Sequence, residues 1–89
     1  MRNMIVVWYL DWFGTKEGFE KLSADWKKVC KEVPGIKSTK LYQSHQARYH
    51  YAWITECDGY DSISKASAKM PERDRKSLTH QVTEIFSEI

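Results

Sequence analysis

Arg48-Tyr49-His50-Tyr51-Ala52-Trp53-Ile54-Thr55-Glu56-Cys57 is the stretch on which the reading of the fold turns. Its β-branched and aromatic content predicts a single strand over residues 48–56. Successive side chains of a strand point to opposite faces. Tyr49, Tyr51 and Trp53 are then expected on one face, with Ala52 and Ile54 on the other. Neither face is polar, so each needs a cover. The chain's own helices supply one. A partner subunit or a ligand is left for the other.

The rest of the chain falls into place around this strand. Met4 to Asp11 is a second β-branched and aromatic run, apolar at both parities, as in a strand covered on both sides. Ile5, Val7, Tyr9 and Asp11 share one face of it, and Val6, Trp8, Leu10 and Trp12 share the other. Thr15 is a helix N-cap candidate. Phe19, Leu22, Trp26, Val29, Cys30 and Val33 then recur at helical spacing, which predicts an amphipathic helix over residues 16–33 that Pro34-Gly35 stops. Gly18 weakens its first turn. Residues 38–44 read as another strand, joined to residues 48–56 by a hairpin with its tip at Gln46-Ala47. A shorter helix follows over residues 60–70, with Tyr60, Ile63, Ala66 and Met70 as its apolar stripe and Asp58 or Asp61 as cap. The tail is two-sided. Periodicity favours helix for residues 72–80, whereas Thr79, Val82, Thr83, Ile85 and Phe86 carry strand propensity, and residues 80–89 stay open between the two.

The order strand, helix, strand, strand, helix and a tail able to supply a fourth strand is the ferredoxin-like βαββα(β) order, an α+β class in one domain over residues 1–89. Helices cover one sheet face in that arrangement. An apolar face left in water is resolved when two copies pack sheet to sheet as a two-fold dimer.

Composition narrows the function classes. The chain has 89 residues, 42% hydrophobic and 13% aromatic, with four Trp and five Tyr. A formal net charge of +2 and lysines interleaved with acids argue against nucleic acid as a partner. No apolar run approaches the length of a membrane span, and no signal peptide is read at the N-terminus. Cys30 and Cys57 form no metal-binding or redox spacing, and read as reduced thiols of a cytoplasmic protein.

Ligand-binding candidates are Tyr9, Tyr49, Tyr51 and Trp53, whose rings suit a small hydrophobic molecule; the competing reading places the same rings in a dimer core. His45 and His50 flank the hairpin tip, but two histidines without a third ligand make no metal site. His50 stands at opposite parity to the aromatic row, as a surface or helix-side residue. Asp11 and Glu56 read as solvated strand ends. No residue is assigned a catalytic role, and no cofactor motif is present.

The block from Gly18 through Val33-Pro34-Gly35-Ile36, the hairpin, and Trp53-Ile54-Thr55-Glu56-Cys57-Asp58-Gly59-Tyr60-Asp61-Ser62-Ile63 resembles the dimeric α+β barrel superfamily, over residues 4–70. That superfamily includes antibiotic-biosynthesis monooxygenases, haem-degrading monooxygenases and stress-responsive A/B barrel proteins. The resemblance implies a homodimer whose sheets enclose a barrel, with any active site between sheet and helices. It implies cofactor-independent oxygenation or isomerisation of a small aromatic or polyketide-like substrate. A non-enzymatic ligand-binding or protein-interaction module using the same aromatic face is the alternative. The Asn, Trp and His of the haem-degrading branch fall on Val7, Thr55 and Lys65 here, which argues against haem degradation.

Overall fold

The computed structural model describes residues 3–45, 49–71 and 78–89. Its elements run β1 (Met4–Trp12), α1 (Lys16–Glu32), β2 (Ile36–Gln43), β3 (Tyr51–Cys57), α2 (Tyr60–Lys69) and β4 (Leu78–Ser87). The four strands form one antiparallel sheet in the order β2-β3-β1-β4. This is the ferredoxin-like α+β architecture. Gln46 and Ala47, the expected hairpin tip, lie outside the described residues.

The alternation on β1 holds. Val6, Trp8, Leu10 and Trp12 face the helices, and Ile5, Val7, Tyr9 and Asp11 face away. Leu10 and Trp53 join Phe19, Leu22, Trp26, Val29, Cys30, Val33 and Ala66 in the main core cluster, so the whole predicted stripe of α1 is buried. Thr15 caps α1, its side chain accepting the Gly18 N–H at 3.0 Å. Gly18 has a use beyond loosening the helix. A Cβ there would stand 3.0 Å from the Trp12 ring, so the glycine lets that indole pack over the first turn.

Three expectations are corrected. Residues 78–80 belong to β4 and are not helical: cross-strand pairing with the end of β1 (Trp12↔Leu78, Asp11↔Thr79, Leu10↔His80) outweighs the weak helical spacing. The register shifts between Tyr9 and Leu10, where β4 carries an extra residue, and that shift hid the period of two in the tail. Tyr60 is 54% exposed and is not part of the α2 stripe, which consists of buried Ile63 and Ala66 with half-buried Met70 packed against the same core. The N-cap of α2 is Gly59, with no side-chain cap; Asp58 instead accepts the Ser62 hydroxyl at 2.7 Å.

Pro34-Gly35 ends α1 with Gly35 at φ 100°, the left-handed region that glycine favours. A Cβ on Gly35 would lie 2.4 Å from the Ser62 Oγ and 2.6 Å from an Asp58 oxygen. The Asp58 N–H also donates to the Gly35 carbonyl at 2.8 Å. This joint ties the end of α1 to the start of α2. Gly35→Ala is therefore expected to cost at least about 2 kcal/mol in urea unfolding, from backbone strain and steric conflict together.

Burial in the core raises the Cys30 thiol from 9.0 to about 11. The folded state holds its proton through pH 9 while the unfolded chain releases it. Stability is thus fully present below pH 9.0 and falls as pH rises towards about 11. Denaturant titrations across this window should show a shallower decline for Cys30→Ala than for the parent protein.

Candidate functional site

Trp8 and Trp53 are direct cross-strand partners on β1 and β3, and both turn towards α1. The Trp26 ring of α1 meets them edge-on, with centroids 5.5 Å from Trp8 and 6.1 Å from Trp53 and interplanar angles of 82° and 78°. Trp8 and Trp53 thus each cross Trp26 near a right angle. A cavity of about 220 Å³ remains between the sheet and the two helices. Trp8, Leu10, Leu22, Trp26, Trp53, Ser67, Met70 and Leu78 line it. Its walls carry one hydroxyl, that of Ser67, and no ionisable group among the described residues.

Two of the indoles that line the cavity differ in what their N–H groups meet. Trp26 Nε1–H donates to Thr39 Oγ1 at 3.0 Å, and Thr39 in turn shares a 2.9 Å hydrogen bond with the fully buried Thr55 hydroxyl. Trp53 Nε1–H is buried and has no hydrogen-bond partner among the described residues. An unmet buried donor costs about 1–3 kcal/mol. The rest of the Trp53 side chain is well packed at 5% exposure, so the donor is held in place and is not free to swing to water.

The four ligand-binding candidates do not share a face. Trp53 borders the cavity. Tyr51 also turns to the helix side, where its ring stacks on Phe19 with centroids 4.3 Å apart. Tyr9 and Tyr49 stack on each other at 5.0 Å, and Tyr9 belongs to the open sheet face. Expecting Tyr49 in line with Tyr51 and Trp53 assumed unbroken strand geometry from residue 48. β3 begins only at Tyr51. Before it, His50 sits in a bend, and its backbone N–H donates to the Asp11 carboxylate at 2.8 Å. The bend breaks the alternation and sends Tyr49 to the other side.

Asp11 is thus no solvated strand end. It is 7% exposed and anchors the β3 entry. His50 Nδ1 accepts the Trp12 backbone N–H at 3.1 Å and lies 3.7 Å from Asp11 Oδ1. Its ring meets Phe13 edge-on at 5.3 Å. This group reads as a clasp between the end of β1 and the start of β3. Among the described residues no set of three His, Cys, Asp or Glu side chains could hold a metal ion. Cys30 and Cys57 are both free and buried. No described helix is long and apolar enough to cross a membrane.

The sequence reading missed Trp8, Trp26, Leu22 and Met70 as cavity walls. Their signal was present: Trp8 and Trp26 stood on the apolar faces of β1 and α1, but a stripe of that kind is ordinarily filled core, and only the crossing angles of the rings leave a space.

No family model matches the chain, and no curated protein matches it. Solved structures do. SnoaB, a cofactor-independent oxygenase from Streptomyces nogalater, superposes with a TM-score of 0.76 at 16% identity, covering 100% of this chain and 95% of that one. A dimeric ferredoxin-like protein of unknown function from Thermobifida fusca gives a TM-score of 0.71 at 16% identity, over 98% and 92% of the two chains. A Dabb family protein with a ferredoxin-like fold from Mesorhizobium loti gives 0.65 at 10% identity, over 100% and 97%. The expected fold is the observed one: this chain has the ferredoxin-like fold of these structures.

Proposed function

We propose that this chain is a homodimer that holds a small aromatic or polyketide-like molecule in the cavity between sheet and helices, and that it oxygenates that molecule without a cofactor. The observation that carries the reading is the buried Trp53 N–H without a partner in the wall of an apolar, tryptophan-lined cavity of about 220 Å³. A carbonyl or phenolic oxygen of a bound ring would supply the missing acceptor. Cavities near 150 Å³ with apolar walls admit benzene, so this one suits a substituted ring and is smaller than the ~300 Å³ at which drug-sized pockets begin.

The walls supply a largely apolar shape and a hydrogen-bond donor. In such a site the electrons come from the substrate. An activated ring methylene gives up two hydrogens, one atom of dioxygen becomes the new carbonyl and the other leaves as water. With no base in the described walls, the first proton of the methylene passes to solvent water at the open mouth of the cavity. The donor at Trp53 stabilises the enolate oxygen that this leaves, as a fixed dipole aimed at developing charge does. The likeness in fold to SnoaB, itself described as a cofactor-independent oxygenase, supports this choice among chemistries. The absence of ionisable groups from the described walls supports the alternative, a non-enzymatic binding module using the same cavity.

The dimer reading rests on the open sheet face. Ile5, Val7, Tyr9, Ala52 and Ile54 lie at its centre, and Tyr42 and Phe86 on its edge strands are 48% and 52% exposed. Neighbouring structures described as dimeric support covering it with a second copy. Of the expected ligand-binding residues, Trp53 then serves the cavity, Tyr51 braces it through Phe19, and Tyr9 and Tyr49 serve the interface. Two buried free thiols suit a cytoplasmic setting.

The test uses anthrone as probe. Trp53→Phe keeps a ring and removes the donor, and is expected to weaken anthrone binding about tenfold, the scale of one lost hydrogen bond. Oxygen uptake with anthrone at a rate above the buffer background, reduced in the variant, supports oxygenation. Binding without uptake supports the binding module, and equal binding by parent and variant removes Trp53 from the site.

A further inference from the structure

The open face of the sheet carries its charges in a pattern that selects one way of pairing two copies. Register places Lys40, Ile54, Val7 and Glu84 in a single row across the four strands, through the pairs Lys40↔Ile54, Val7↔Ile54 and Val7↔Glu84. All four side chains point away from the helices, since their neighbours Thr39 and Trp8 point towards them. The row has a cation at the β2 edge, two aliphatic residues in the middle and an anion at the β4 edge. Lys40 and Glu84 are exposed, and neither makes an ion pair among the described residues.

We infer that the two copies of the homodimer proposed above are related by a two-fold axis parallel to the strands, with Lys40 of each copy paired to Glu84 of the other. The inference rests on that dimer reading and adds its orientation. A two-fold axis lying between facing sheets has two limiting directions. Along the strands, it reverses each row onto itself: the lysine edge meets the glutamate edge twice, and Ile54 meets Val7. The next row, Tyr42, Ala52, Tyr9 and Val82, then sets small Ala52 against large Tyr9. Across the strands and centred on the Lys40 row, the axis sets lysine on lysine and glutamate on glutamate. Sheets stack about 10 Å apart, within the combined reach of a lysine and a glutamate. The pattern thus favours the first direction by attraction and disfavours the second by like charge. The β2 edge of one copy consequently lies over the β4 edge of its partner.

The test is a charge-swap cycle read by sedimentation equilibrium at low salt, with circular dichroism to verify that each variant is folded. K40E and E84K are each expected to raise the dimer dissociation constant about tenfold, because each turns two attractive rim contacts into repulsive ones. The double variant K40E/E84K is expected to return to within about threefold of the parent, and the losses to shrink at high salt. A parent dimer whose double variant shows only the sum of the single effects overturns the orientation alone. A parent protein that is monomeric at micromolar concentration overturns the dimer reading with it.

Discussion

Trp8 and Trp53 stand directly opposite each other on β1 and β3, and this one register decides what each side of the sheet is for. With both indoles turned to the helices, Trp26 meets them edge-on, and the crossing rings hold open the space beneath α1. Turned the other way by one residue, the same strands would present their tryptophans to the open face and leave Val7 and Ile54 against the helices, since a slip of one residue exchanges the two faces. The helix side would then lose the two indoles that line the cavity. The clasp of Asp11 on the His50 N–H guards against that slip, because it pins the entry of β3 to the end of β1.

The two faces divide the labour. The helix side buries the large aromatics and pairs its polar atoms internally, as in the chain from Trp26 through Thr39 to Thr55. Among the described residues two buried side-chain atoms lack a partner, Ser23 Oγ on α1 and the Trp53 donor, and only Trp53 belongs to the cavity lining. Buried polar atoms are nearly always satisfied, and those that are not are natural places for a ligand to make its hydrogen bond. The open side is largely apolar at its centre, with Ile5, Val7, Tyr9, Ala52 and Ile54, and carries Lys40 and Glu84 at its edges. That suits another protein surface better than a small molecule.

Much of this was legible in residue order. The faces of β1, the stripe and cap of α1, and its stop at Pro34-Gly35 follow from alternation, spacing and turn chemistry, all of them local. The tail was not legible, because β4 owes its pairing to β1 and carries an extra residue that scrambles the period of two. The site was half legible. Trp53 and Tyr51 were recognisable as large rings on one strand face. That their face is the helix side, and that Tyr49 lies on the other, depends on a bend at His50 held by a side chain 39 positions away, which no local pattern encodes. The cavity depends on ring crossing angles, which sequence does not carry at all.

The indole N–H resonances of a uniformly ¹⁵N-labelled sample report the central claim most directly, with assignment by single Trp→Phe variants. On titration with anthrone, the Trp53 Nε1–H signal should move downfield and gain protection from solvent exchange as its acceptor arrives. The Trp26 signal, already bonded to Thr39, should keep its hydrogen-bond character. A Trp53 signal that stays fixed at saturating anthrone, or one that shifts only together with resonances of the open sheet face, would contradict a ligand site between the sheet and the helices.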